Sequence, residues 1–317
     1  MEQFKLGSVN HASPTLIANG LAAIALGIAL VGIAFASILT AIAQQEIGPN
    51  ATTFNRLGIA AIAFAGWNKV RGLTSQIHAQ PVSMLIYTWR DRTLLTTAGM
   101  SFAASLTLWA WSLTQTSVAN STLFNNMMPL FTTLGAWLVL GQKFSARFVL
   151  GMAIAVCGAI AIGIEDFQGT NSHALGDIAA LSAAMLAAVC LLSLEQLRSK
   201  FATPTIMQWT CFIGCLGVLP AVLLTHEQLF PTSGVGWCTV ISLAIVCQVV
   251  GQGLLTYSLA NFASGLVAVA MLAIPAIAAV LAFIIFAEKL SIFNWCAFAV
   301  VLAGVYLAIS ARSDHSC

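Results

Sequence analysis

Charge is what this chain has least of. Only 7% of its 317 residues are Asp, Glu, Lys or Arg, against about 25% in an ordinary soluble domain, while 59% are hydrophobic. That balance excludes a soluble globular fold and points to lipid as the solvent. With a formal charge of +2 and no basic block or basic-aromatic stripe, there is no footprint for nucleic acid. No Asp or Glu stands in the middle of an apolar run, and the histidines at 11, 78, 173, 226 and 315 fall in terminal or loop segments. Proton coupling through a buried carboxylate or imidazole therefore has no carrier, and a facilitator or exchanger fits at least as well as a proton antiporter. There is also no His with Asp, no Cys/His pair and no cluster of metal ligands, so neither a catalytic constellation nor a metal or other cofactor is implied. Of the eight cysteines, Cys157, Cys190, Cys211, Cys215, Cys247 and Cys296 sit inside apolar runs, where they behave as small hydrophobes.

What is abundant is apolar stretches of spanning length, about 20 residues being enough to cross a bilayer. Residues 1–13 are polar, with no cleavage pattern, and the run at 16–43 is too long for a removable signal. Ten spans are expected, at about 16–43, 51–67, 93–114, 119–141, 147–164, 176–197, 205–224, 236–259, 264–287 and 293–310, with a longer polar segment at 68–92. The fold class is thus an all-α integral membrane protein.

The second half repeats the first. At a constant offset of 146 residues Pro129 falls on Pro275, Lys143 on Lys289, Ser145 on Ser291 and Gly158 on Gly304, and further back Ser112 falls on Ser258. Equal spacing of the punctuating residues marks two copies of one unit, a first repeat at 16–164, a linker at 165–175 and a second repeat at 176–310. Five spans per copy make the second copy enter the membrane from the other side. With the amino terminus in the cytoplasm, Lys5, Lys69, Arg71, Arg90, Arg92, Lys143, Arg147, Arg198, Lys200 and Arg312 lie inside, and only Arg56 and Lys289 lie on the other face. This bias of loop Lys and Arg orients both termini to the cytoplasm. Two inverted five-helix repeats are an architecture of secondary transporters, with the substrate site near mid-membrane between them.

The stretch IGPNATTFNRLGIAA, with Pro49 followed by Arg56, and the two junctions Pro129-to-GQKFS and Pro275-to-AEKLS carry a resemblance to the EamA type of the drug/metabolite transporter superfamily. It extends over nearly the whole chain. The family usually shows a Glu before the basic residue of the junction; Glu288 fits and Gln142 departs. The resemblance implies translocation of a solute by alternating access, often export of amino acids, other metabolites or toxic compounds, in a plasma or bacterial inner membrane.

Polar residues inside the spans mark where a solute could pass. In the fourth span Ser121, Asn125, Met128 and Thr132 form one helical stripe and Thr122, Asn126, Pro129 and Thr133 the next. Pro129 has no N–H, so the carbonyl of Asn125 is expected to be freed, as Pro275 is expected to free that of Met271. The eighth span offers Gln248, Gln252 and Thr256 on one face with Tyr257 beside them, and the third Ser101, Ser105, Trp109 and Ser112. Interhelical bonding is the alternative for the amides and the stronger reading for the serines. Trp109 and Tyr257 either wall the cavity or anchor helix ends at the interface. Arg56, about five residues into its span, either snorkels or attracts a carboxylate or phosphate to the outer mouth, or closes a gate there. Glu195 and Arg198 are expected to pair at the interface. Gly151, Ala155, Ala159 and Gly163, with Ala299 and Ala303, suit close helix packing between the repeats or a homodimer contact.

The function expected is that of a carrier for a small organic solute in the lipid bilayer, with the substrate-binding candidates Asn125, Asn126, Gln248, Gln252, Tyr257, Trp109, Ser105 and Arg56. A channel shares the polar lumen but would need selectivity rings, and an integral membrane enzyme would need catalytic groups. The inverted topology has a direct check. Lys143→Cys and Lys289→Cys, each in a cysteine-depleted background, should react with an impermeant thiol reagent from opposite sides of the membrane; labelling from one side would refute the inversion.

Overall fold

The computed structural model describes residues 14–77, 88–115, 121, 124–165, 174–286 and 292–310, and these are helical apart from short turns. The helices are α1 Pro14–Ala43, α2 Pro49–Ile77, α3 Trp89–Gln115, α4 Met128–Leu140, α5 Ala146–Glu165 and α6 Ala174–Arg198. They continue with α7 Thr203–Leu224, α8 Gly234–Ser258, α9 Ser264–Met271, α10 Ala273–Phe286 and α11 Ile292–Ser310. Lipid cannot hydrogen-bond a backbone, so helices that satisfy themselves are the expected solution. Among the described residues four helices are long and apolar enough to cross a membrane: 19–40, Ala174–Arg198, Thr203–Leu224 and Gly234–Ser258. On α1 even the exposed stripe of Leu21, Ile24, Ile28 and Val31 is apolar, the pattern of a helix apolar all round.

Several boundaries differ from the sequence expectation. α2 does not end near Trp67 but continues as a helix to Ile77, because polar residues propagate a helix as readily as apolar ones and Asn68 is held by Gln208 of α7 at 2.7 Å. α3 begins at Trp89, four residues earlier than hydropathy indicates, because Thr88 and Asp91 build its cap. The stretch expected as one span at 119–141 breaks at Asn126 and Met127, and that at 264–287 breaks at Leu272. Glu288, Lys289, Thr122 and residues 166–173 of the linker lie outside the described residues, and α6 begins inside the expected linker at Ala174.

The pairing of helices interleaves the two halves. α1 packs on α8 and α6 on α3; α2 packs on α8 and α7 on α3; α4 packs on α6 and α10 on α1. Under the 146-residue shift each of these pairs maps onto its companion, while α2 with α7 and α5 with α11 map onto themselves. The α5–α11 seam is the tightest. A Cβ built on Gly304 would lie 2.4 Å from the Ala155 N and 2.7 Å from the Gly151 carbonyl oxygen, and one on Gly151 would lie 2.5 Å from the Ala308 N. Close contact of this kind stands in for a hydrophobic drive that lipid does not provide. The small residues Gly151 and Ala155 of α5 are thus packed against α11 of the same chain, whereas Ala299 and Ala303 of α11 are exposed and lie outside the seam.

Gly304→Val therefore forces backbones apart and should lower the thermal unfolding midpoint in detergent by several degrees, an overpacking loss of about 1–3 kcal/mol. Gly20→Val, at a position with nothing within 4 Å, should leave it unchanged.

Candidate functional site

Arg56 does not snorkel. It is the eighth residue of α2, is 5% exposed, and its Nε donates to Oε1 of Gln248 on α8 at 2.9 Å. Gln248 is fully buried, and its Nε2 donates to Sγ of Cys211 on α7 at 3.6 Å. Two turns further along α8 and one turn back along α7, Thr256 donates to Sδ of Met207 at 3.3 Å. Gln252 lies half-buried between Gln248 and Thr256. Three helices thus bring the basic residue and the first glutamine together inside an apolar cluster that includes Leu57, Ala60 and Phe64.

The middle of α8, Leu243–Gln252, is wound as a π-helix. Its widened turn is pressed against α1, where a Cβ on Gly32 would meet the Val246 carbonyl oxygen at 3.1 Å and one on Gly251 would meet Ile33 at 2.9 Å. Two glycines let the backbones meet there. π turns of this kind are frequent at functional sites, and this one carries both glutamines.

Asn125 and Asn126 stand at the break before α4. Pro129 occupies the first turn of α4, and Pro275 that of α10, where a missing N–H costs nothing. The prolines therefore set helix starts and do not free carbonyls in mid-helix as expected. Asn125 is half-buried, and Nδ2 of Asn126 is buried with no hydrogen-bond partner. Equivalent helices of the two repeats are interrupted at equivalent places, and α9 reaches across to pack on α4.

The remaining candidates are dispersed. Ser105 donates to the Ala183 carbonyl of α6 at 2.8 Å, Ser101 to Ala98 at 3.3 Å, and Ser112 meets Ser121 at 2.5 Å, all of them links within or between helices. Thr132 bonds back to Met128, and Thr133 turns to Met152 of α5. Trp109 is half-buried. Tyr257 is 39% exposed, with the Arg198 guanidinium 5.8 Å above its ring. The expected pair of Glu195 with Arg198 is not formed. Glu195 accepts from Gln142 at 2.8 Å, and Arg198 donates to the Phe201 carbonyl at 3.0 Å, because the α4–α5 turn reaches the carboxylate first.

A model of the EamA-like transporter family matches residues 20–164 and again 174–310. The chain belongs to the EamA-like transporter family. This EamA-type protein is therefore an integral membrane transporter of the drug/metabolite transporter superfamily, a family of transporters and not of enzymes. No curated protein matches the sequence. A solved crystal structure of a protein, 18% identical, superposes with a TM-score of 0.76 over 93% of this chain and 99% of that one, which shows the shared fold.

The transporter also holds functional polar contacts that spacing does not reveal. At one end of the bundle Glu227, in the α7–α8 turn, accepts from Nδ2 of Asn50 at 2.6 Å and the Ala51 N–H at 2.8 Å, capping α2. Glu46, in the α1–α2 turn, bonds the hydroxyl and the N–H of Ser233, the N-cap of α8, and those two contacts hold its carboxyl below the usual range. Each half caps a helix of the other. Two glutamates, each near a helix start distant in sequence, left no local pattern to read. At the opposite, basic end Asp91 pairs with Lys200 and accepts from the Thr88 N–H at 2.8 Å and hydroxyl at 2.7 Å, while the Asp91 N–H donates back to Thr88 at 3.2 Å. This is a reciprocal helix cap.

Lys200 first, and Thr88 after it, hold the Asp91 carboxyl at about 2. Because the folded value lies below the unfolded one, Asp91 stabilises the protein above the unfolded value, and the contribution fades as pH falls toward 2. Asp91→Asn should lower the unfolding midpoint at pH 7, and the gap to wild type should close between about pH 4 and pH 2.

Proposed function

We propose that this transporter is a carrier with ten membrane spans in two inverted five-helix repeats, moving a small polar or amphipathic organic solute by alternating access. The observation that supports it most is the interruption of equivalent helices before Pro129 and Pro275, with α9 packed on α4 between the repeats. Discontinuous helices at a repeat interface are where carriers of this build hold their solutes. The exchange of the principal helix pairings under the 146-residue shift supports an approximate twofold relation between the halves, and the odd number of expected spans makes that relation an inversion.

We assign the solute to a passage bordered by Asn125 and Asn126 at the break before α4 and by Gln248 and Gln252 on α8. An amide N–H buried without a partner, as in Asn126, is costly in a low-dielectric interior and is relieved when a ligand oxygen reaches it. Ser105 donates its hydroxyl hydrogen to Ala183, which leaves it only as an acceptor toward a solute. Trp109 lines the wall, and Tyr257 borders the basic end. A channel would ask for a ring of carboxylates or carbonyls along an open path; an unmatched amide at a helix break, as in Asn126, favours a saturable carrier. Both termini are assigned to the cytoplasm of a plasma or bacterial inner membrane by the distribution of Lys and Arg.

In proteoliposomes preloaded with amino acids, nucleosides, sugars or organic anions, uptake of the matching labelled solute should saturate and be stimulated by the solute trapped inside. Asn126→Ala and Gln252→Ala should each lower that uptake roughly five- to tenfold, equivalent to about 1–1.4 kcal/mol, at unchanged amounts of folded protein. Unsaturable, unstimulated flux, or wild-type uptake in both variants, would refute this reading.

A further inference from the structure

Arg56 is a buried cation without a buried anion. It is 95% enclosed between α2, α7 and α8, since 5% of its surface remains exposed. Its partner is a neutral amide, Gln248, reached through Nε alone. Among the described residues it makes no other hydrogen bond or ion pair, and the titratable groups close enough to act on its charge are the thiols of Cys211 and Cys247. The ion pair formed by described residues, Asp91 with Lys200, is at the basic end. A guanidinium stays protonated in a protein and carries a fork of further N–H donors. Buried in this way, the charge calls for a counter-ion that the described residues do not supply.

Gln248 is poised in the same sense. Its Oε1 faces Arg56, while its amide N–H is spent on a thiol sulfur, a weak acceptor. An oxygen of a bound solute would be a better partner for that N–H, and the π-helical turn is what brings the amide to the arginine. A simply structural arginine would use its fork on carbonyls or a carboxylate, and this one does not.

We propose that Arg56 and Gln248 form the binding site for an anionic oxygen group of the solute, a carboxylate or a phosphate, received by the free edge of the guanidinium and the Gln248 amide. The assignment rests on the carrier reading and narrows it to anionic or zwitterionic solutes. It moves Arg56 from an outer mouth to an interior site.

The test uses purified full-length protein in detergent, heated with matched probes: L-phenylalanine against L-phenylalaninamide, benzoate against benzamide, and glucose 6-phosphate against glucose. The member that bears the carboxylate or phosphate should raise the unfolding midpoint where its twin lacking that group, at equal concentration, does not, and the responding pair tells carboxylate from phosphate. Arg56→Gln should abolish that shift. Because Arg56→Gln can fail to fold, Gln248→Glu provides the second arm: it places a carboxylate beside the guanidinium and should raise the ligand-free midpoint by several degrees while abolishing the response to anions. If no probe acts, the ligand-free midpoint of Gln248→Glu decides by itself. Equal stabilisation by the twins that lack the carboxylate or phosphate, or a Gln248→Glu midpoint at or below that of wild type, overturns the proposal. Failure of the carrier reading would look different, as absence of counterflow for every solute regardless of charge.

Discussion

Hydrocarbon offers no hydrogen bonds, so any polar group taken into it must find its partner in the protein or in what the protein carries. That constraint makes the described residues almost wholly helical and gives meaning to the few places where they depart from regular α-helix. The breaks before Pro129 and Pro275, the widened turn of α8 and the interior arginine are the costly features of this bundle. Each lies where the halves meet or where α8 touches α1, α2 and α7, and none lies on the lipid-facing side of α1. The glycine seam of α5 and α11 does the opposite work, holding backbones so close that it has no room for a side chain.

The two halves share a framework but not a chemistry. Helix pairings exchange under the repeat shift, yet the first break carries Asn125 and Asn126 where the second carries Met271 and Leu272. The second half compensates on α8, where Gln248 faces Arg56 of the first half. Gln142 is unequal in the same way: it meets Glu195, and a second carboxylate at that position would face the first at hydrogen-bond distance.

The fold was legible because composition, run length and repeat spacing all report burial in lipid, and they survive without knowledge of contacts. The matched Gly158 and Gly304 pointed to a packing seam, and the seam is there. Boundaries were less legible where hydropathy and helicity part company, as at the polar end of α2 and the capped start of α3. The prolines were visible as breakers, but whether Pro129 stands in mid-helix or in a first turn depends on what the neighbouring helices allow. Of the site, the polar residues of α8 could be named in advance. That Gln248 would face Arg56, 192 residues away, could not be, because a periodicity gives the face of a helix and not the helix opposite. The π turn, Glu46 and Glu227 had no local signature at all.

The reciprocal capping by Glu46 and Glu227 has a mechanical meaning. Each glutamate sits in a turn of one repeat and holds the first amides of a helix in the other. Neither repeat can swing away at that end while keeping both contacts, and losing one strips solvation from a helix start in the opposite half. Parting at that end therefore asks for both contacts to be given up, like a latch with two bolts thrown from opposite sides.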